Sequence, residues 1–207
     1  MSKSALAKRW RALVARYELA DPAVAQLQRV VAYMGADETA PTTMREPAAA
    51  LDGHVADSLV VLEVDPVRAA RRIADLGAGA GFPGLALAAA LPDARVALVE
   101  SASRKCEYLL RVVAEGQIAN VDVVHARVEE WKDGIGAHDL VVARALAPLP
   151  VVAEYAAPLL RDGGLLVAWK GRRDNDEEER GAKAAGQLGL AVREVVPVSP
   201  FPAARPS

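Results

Sequence analysis

The stretch Ile73-Ala-Asp-Leu-Gly-Ala-Gly-Ala-Gly-Phe-Pro-Gly84 decides how the rest of the chain is read. Apolar residues run into Asp75, then Gly77, Gly79, Gly81 and Gly84 crowd a turn, and an Ala/Leu-rich run starts at Pro83. Proline suits the first helical position, where its missing N–H would be unpaired anyway. A strand therefore ends, a loop turns and a helix begins. So many glycines cost too much backbone entropy for an incidental tight turn. Bare backbone at a helix N-terminus instead suits a ligand containing adenosine.

Outward from this loop, strand and helix alternate. Strands are predicted at 72–76, 95–100, 121–125, 138–143, 164–169 and 190–196, with helices near 83–91, 103–115, 148–160 and 176–188. Val96 to Val99, Leu140 to Ala143 and Leu165 to Trp169 are continuously apolar, as strands covered on both faces are. The alternation predicts an α/β fold, a Rossmann-like, doubly wound, mostly parallel sheet. Upstream the period changes. Leu6, Trp10, Leu13 and Tyr17 share one helical face, and Asp21-Pro22 reads as an N-cap and first helical position. That second helix runs through Leu27, Val30, Val31 and Met34 to Gly35. A loop is expected at 36–47, followed by a helical face of Leu51, Val55, Leu59 and Leu62. Residues 1–65 thus read as an N-terminal helical extension and 66–207 as the α/β domain.

Composition narrows the class. At 207 residues, with 52% hydrophobic but only 4% aromatic content, the core must be built from Ala, Val and Leu. The single cysteine, Cys106, excludes an internal disulfide and argues against a zinc cluster, so no metal is expected. No signal-peptide core or membrane-length apolar run is present, so a cytoplasmic protein, expected as a monomer without membrane contact, is the default. The net charge of −2 does not advertise nucleic-acid binding, yet basic residues cluster at Lys3–Arg16, Arg68–Arg72 and Arg104–Arg111. Asp174 to Glu179 reads as the acidic first turn of the last helix.

Two cofactor classes compete for the loop. Gly79-x-Gly81-x-x-Gly84 matches a dinucleotide fingerprint. Asp75-x-Gly77-x-Gly79-x-Gly81 matches the methyltransferase form, in which an acid closes the strand. That aspartate would meet the amino group of a methionine moiety, whereas it would repel a pyrophosphate. Glu100 ends the second strand where an acid takes ribose hydroxyls in either class. Past the third strand, His125-Ala-Arg-Val-Glu-Glu-Trp131 offers a further acid for an adenine amino group. S-adenosyl-L-methionine is therefore the expected cofactor.

The acceptor is narrowed by what strand four carries. Ala143-Arg144-Ala145 stands where methylases of exocyclic amines have Pro-Pro-Tyr or Pro-Pro-Phe. Cys106 falls on a helix beside Leu109 and Leu110 and reads as a buried small group, not a nucleophile for ring carbon. Acceptors nucleophilic without help remain. Guanine N7 has a lone pair and no proton to lose, so alignment would supply most of the rate. A small-molecule amine or another aromatic nitrogen fits the same argument.

From about residue 45 to 171 the chain resembles the bacterial 16S rRNA guanine-N7 methyltransferase family, also called glucose-inhibited division protein B. The resemblance rests on His54-Val-Ala-Asp57-Ser58-Leu59, on Asp75 to Gly84, and on Val123-Val-His-Ala-Arg-Val-Glu-Glu130. Ala143-Arg-Ala-Leu-Ala-Pro-Leu149 and Ala168-Trp-Lys-Gly171 complete it. It implies a class I S-adenosylmethionine-dependent methyltransferase acting on 16S rRNA or the small ribosomal subunit. Gly77, Phe82, Val128, Glu129 and Arg144 would contact the cofactor, joining Gly79 and Glu100 from the motif, and Lys170 would lie at the mouth of the site beside an rRNA phosphate. The chain departs from the family at Ala40–Met44, where Asn-Leu-Thr is usual, and at Glu100, where Asp is usual. It also stops at Ser207, so a seventh strand is expected to be missing and one sheet edge open. Alternatives are a small-molecule methyltransferase, or a cofactor-binding, ribosome-associated protein without turnover. His54 and Asp57 read equally well as a packing pair, and Trp10, Trp131 and Trp169 as core.

Overall fold

The computed structural model describes residues 3–200. Its sheet grows from β1 (Arg72–Leu76), which pairs in parallel with β2 (Arg95–Glu100) on one side and β4 (His138–Arg144) on the other. β3 (Val121–His125) extends the sheet beyond β2, and β5 (Leu160–Trp169) extends it beyond β4. The order is β3-β2-β1-β4-β5, and every pairing is parallel. The direction of winding reverses between β1 and β4, and the carboxyl ends of those strands open a crevice where such sheets bind ligands.

Helices α5 (Gly84–Ala90), α6 (Ser103–Gly116), α7 (Leu149–Ala156) and α8 (Asn175–Gln187) follow β1, β2, β4 and β5. One face of the sheet packs Ile73 and Leu98 against Leu85 of α5 and Leu109 of α6. Leu13 of α1 (Lys3–Tyr17) and Leu27 and Met34 of α2 (Asp21–Ala36) belong to the same buried cluster. The other face packs Leu76, Val99 and Val141 against Val152 of α7 and Leu159. The helical extension therefore covers α5 and α6 as a further layer on one side only.

The third predicted helix is irregular. α3 (Pro47–Ala50) runs into a π-helical stretch at Leu51–Ala56, then α4 (Asp57–Leu59) and a 3₁₀ turn at Val60–Glu63. The predicted apolar face, Leu51, Val55, Leu59 and Leu62, is buried throughout. Single-turn π stretches inside helices recur at functional sites. This one carries Gly53 and His54.

Several predicted boundaries move. Ala20, not Asp21, takes the N-cap position of α2, so Asp21 and Pro22 are its first two residues. Pro83 precedes α5 as its cap, since its predecessor turn is still needed to bring Gly84 to Asp75. β5 starts at Leu160, earlier than predicted. The predicted strand at 190–196 is not formed. Its apolar residues Val192, Val195 and Val196 are exposed, and Pro197 removes a ladder donor. The segment leaves the sheet altogether: Arg16 of α1 donates to the carbonyls of Ser199 and Pro200 at 3.1 Å each. Among the described residues the five-stranded sheet therefore ends at β5.

One amide ties three elements beneath the sheet. Asn120 Nδ2 donates to the carbonyls of Ala88, Leu91 and Ala94, at 3.0, 3.3 and 2.9 Å. These acceptors close α5 and lead into β2. Asn120→Asp would set a carboxylate oxygen against three carbonyls, and is expected to cost about 2 kcal/mol, more than Asn120→Ala. Urea denaturation checks the order, which an equal or smaller loss in the aspartate variant would refute.

Candidate functional site

Asp75, the penultimate residue of β1, is 1% exposed. Its Oδ2 accepts from the Gly84 N–H at 2.7 Å, the first amide of α5. Only glycine fits there, because a Cβ on Gly84 would lie 2.8 Å from that same carboxylate oxygen. Between these ends the loop is held by β2: Gly77 and Ala78 both donate to the Val99 carbonyl, at 2.9 and 3.1 Å. Gly77, Gly79 and Gly81 have φ of 67°, 54° and 94°, the left-handed region that glycine enters at no steric cost. A Cβ on Gly77 would meet Leu146 Cδ1 at 2.6 Å, so the loop after β4 packs directly on the glycine loop. Above Gly79 the space is clear, the nearest heavy atom being the Gly77 carbonyl oxygen at 3.7 Å.

Burial pushes the Asp75 carboxyl up to about 7, and the charge of nearby Glu100 adds to it. The Gly84 N–H and the positive field of Arg144 act the other way. A cation approaching Asp75 would restore the carboxylate. This matches the chemistry of a group that receives an ammonium.

Glu100 is also buried, but its carboxylate faces the backbone. Oε2 accepts from the Gly79 N–H at 3.1 Å, and Oε1 accepts from Ser101 and Ala102 N–H at 3.0 Å each. Lys105 Nζ stands 3.7 Å from Oε2. Glu100 thus fixes the crest of the glycine loop and the turn into α6. Cys106 is buried beneath it, its Sγ–H donating to the Glu100 carbonyl at 3.2 Å, in keeping with a packing role.

Arg144 ends β4, and the next residue, Ala145, has φ 54°. The guanidinium turns toward the π-helical stretch. NH1 donates to the Gly53 carbonyl at 3.1 Å and to Asp57 Oδ2 at 2.8 Å, and NH2 donates to His54 Nδ1 at 3.1 Å. Three of its five N–H donors are used in this way. Two remain for a ligand. His54 and Asp57 are therefore partners of Arg144 rather than of each other. The His54 ring also stacks on Phe82, with centroids 5.1 Å apart and planes at 16°. Phe82 is 4% exposed, so its buried ring anchors the glycine loop against His54. Asp57 is held in turn by the Trp169 indole, which donates to its carbonyl at 3.0 Å.

The remaining expected residues lie apart from this network. Val128 packs into the second buried cluster and Glu129 is half-exposed, 3.9 Å from Arg127, both on a 3₁₀ turn after β3. Lys170 donates to Glu177 Oε1 at 2.7 Å, and the same oxygen accepts from the Leu149 N–H at 2.8 Å. Lys170 is thus paired within the chain, which its position at a strand end did not foretell. Trp10 is buried, and Trp131 lies tilted against His138, 5.1 Å between centroids. Thr42 and the Gly53 carbonyl join the site without any motif to mark them.

A parallel sheet wound in this order, with an acid closing each of its first two strands around a glycine loop, defines the class I S-adenosylmethionine-dependent methyltransferase fold. The fold is shared with Aeropyrum pernix fibrillarin, solved in complex with natively bound S-adenosyl-L-methionine (TM-score 0.57, 26% identity, 71% of this chain and 69% of that one). It is also shared with a SAM-dependent methyltransferase from Aquifex aeolicus (TM-score 0.51, 19% identity, 62% and 76% covered). Within that class the chain belongs to the GidB family, rRNA small subunit methyltransferase G, whose model matches residues 24–199. A relative named ribosomal RNA small subunit methyltransferase G from Rubrobacter xylanophilus is 44% identical over 76% of this chain and 62% of its own length. One of the same name from Deinococcus radiodurans is 40% identical over 70% and 58%. The chain therefore matches less than two thirds of the length of these curated relatives.

The Asp75 environment has a measurable sign. Its folded pKa lies above the unfolded value, so its contribution to stability is fully present below about pH 4 and is lost as pH rises toward 7. Asp75→Asn removes that titration. The melting temperature of the variant minus that of the parent is expected to increase between pH 4 and about pH 7 and to level off above it, without ligand. Scanning fluorimetry across that range checks it, and a constant difference would show that Asp75 titrates alike folded and unfolded.

Proposed function

We propose that this chain is an S-adenosyl-L-methionine-dependent methyltransferase that methylates N7 of a guanine in 16S rRNA. The observation that carries the reading is the joining of Asp75, the glycine loop and Arg144 at one sheet edge in a member of this family. The residues fit the cofactor: a buried carboxyl awaits a cation, and no side chain comes within 4 Å of where a Cβ on Gly79 would stand. When bound, S-adenosylmethionine supplies an electrophilic methyl group, and guanine N7 accepts it without first losing a proton.

In this reading Asp75 binds the methionine ammonium, and Gly77 and Gly79 let the ligand approach bare backbone. Glu100 holds Gly79 in place and keeps a lone pair for ribose. Val128 and Glu129 flank the adenine. Phe82 fixes the loop through His54, and Arg144 offers its two remaining donors across the crevice. None of these groups needs to act as a base. Rate would come from alignment of the acceptor nitrogen with the methyl group. Lys170 would meet an RNA phosphate only by leaving Glu177, which Lys170 itself holds below the usual carboxylate range. We assign the chain as a monomer acting in the cytoplasm on the small ribosomal subunit. No helix among the described residues is long and apolar enough to cross a membrane.

Incubation with methyl-labelled S-adenosylmethionine and undermethylated small subunits should place label in 7-methylguanine of 16S rRNA. Label in free metabolites alone, or in no RNA, would refute the reading. Arg144→Lys is expected to lower kcat/KM on the order of a hundredfold, nearly as far as Arg144→Ala, because one ammonium cannot span three acceptors in the plane of a guanidinium. Activity of the lysine variant close to that of the parent would show that only the charge matters.

A further inference from the structure

We infer that His54 is a positioning residue, which sets the distance between the glycine loop and Arg144 and so shapes the cofactor site without touching the cofactor. The inference rests on the reading above, in which loop and arginine contact the same ligand from opposite sides.

Three contacts on one imidazole carry it. Its face stacks on Phe82, between Gly81 and Pro83 of the glycine loop. Its Nδ1 lies 3.1 Å from Arg144 NH2, and its Nε2 lies 2.8 Å from Thr42 Oγ1. The proton positions follow from the partners. A guanidinium can only donate, so Nδ1 must present its lone pair and Nε2 must carry the hydrogen. Thr42 Oγ1 accepts that hydrogen and is itself fixed by the Met44 N–H at 3.0 Å. An imidazolium would turn an N–H toward Arg144. Burial first, and the arginine charge second, accordingly push His54 down to about 4, so the neutral ring persists at neutral pH.

The arrangement exceeds what packing requires. Arg144 already has Asp57 as counterion and the Gly53 carbonyl as acceptor. His54 adds no charge to that pair. What it adds is direction, because an acceptor on NH2, beside the two on NH1, fixes the plane of the guanidinium. The π-helical stretch places Gly53, His54 and Asp57 so that all three reach one guanidinium. A ring shared between Phe82 and Arg144 passes any shift of one to the other.

The two functions of the ring can be separated. His54→Phe keeps a ring over Phe82 but cannot accept from Arg144. His54→Asn loses the ring but sets an amide oxygen near the Nδ1 position. Calorimetric binding of S-adenosylhomocysteine to the full chain is the readout, with melting temperatures recorded alongside. His54→Phe should weaken binding on the order of tenfold, and His54→Asn should recover most of that loss even where it melts lower. In an Arg144→Ala background, His54→Phe should cost little further, because its effect passes through the arginine. Should the phenylalanine variant not fold, Thr42→Val, which releases the tautomer, reads the same coupling. Parent-like binding by His54→Phe, or an equal loss with and without Arg144, would overturn the assignment while leaving the cofactor reading intact. Failure of the parent chain to bind would overturn both.

Discussion

The hydrogen bond from the Gly84 amide to the Asp75 carboxylate organises this molecule. It puts an acid at the end of the central strand, inside the sheet, where burying a charge is costly. A helix N-terminus is one of the few places that lessens the cost, since its first amides lack partners and carry partial positive charge. The other features follow from it. Gly84 can have no side chain, the loop must enter the left-handed region to return to its own strand, and Glu100 must hold the crest from β2. The acid thus sits where burial disfavours its ionised form and the Gly84 amide only partly compensates.

Around that bond the chain divides its charges by sheet edge. At the carboxyl edge, Arg144 and Lys170 end neighbouring strands, and each is paired with an acid from an adjoining helical segment, Asp57 and Glu177. At the opposite edge, Asp139 Oδ2 accepts from the Arg71 and Arg72 amides at 2.6 and 2.8 Å, and its other oxygen pairs with Arg161. The first arrangement leaves donors unspent. The second closes the start of the sheet on itself.

Much of this was legible in the residues alone. The continuous apolar runs marked three of the strands, and Asp75 with its glycines marked the loop, because both depend on local periodicity and backbone freedom. The strand at 190–196 had the right composition but needed a neighbour to pair with, and neighbours are not local. Arg144 stood out at the end of strand four, yet its partners did not: His54 and Asp57 looked like a pair because they lie three positions apart. Thr42 and Gly53 contribute a hydroxyl and a carbonyl that nearly any sequence could supply. The pairing of Lys170 with Glu177 was hidden for a further reason, since an acidic helix start already has a sufficient local explanation.

The order of strands also sets a timetable. β1, β2 and β3 are consecutive in the chain and neighbours in space, so three of the five strands can assemble as soon as residue 125 has been made. β4 comes later and must insert on the far side of β1, and only then does Arg144 reach His54, 90 residues behind it. Closing so long a loop is slow relative to the local pairings that precede it. On a growing chain the glycine loop is therefore built first, and the contacts of Arg144 form last. A chain that has stalled before β4 therefore possesses the glycine motif but not the guanidinium that ties Gly53, His54 and Asp57 together.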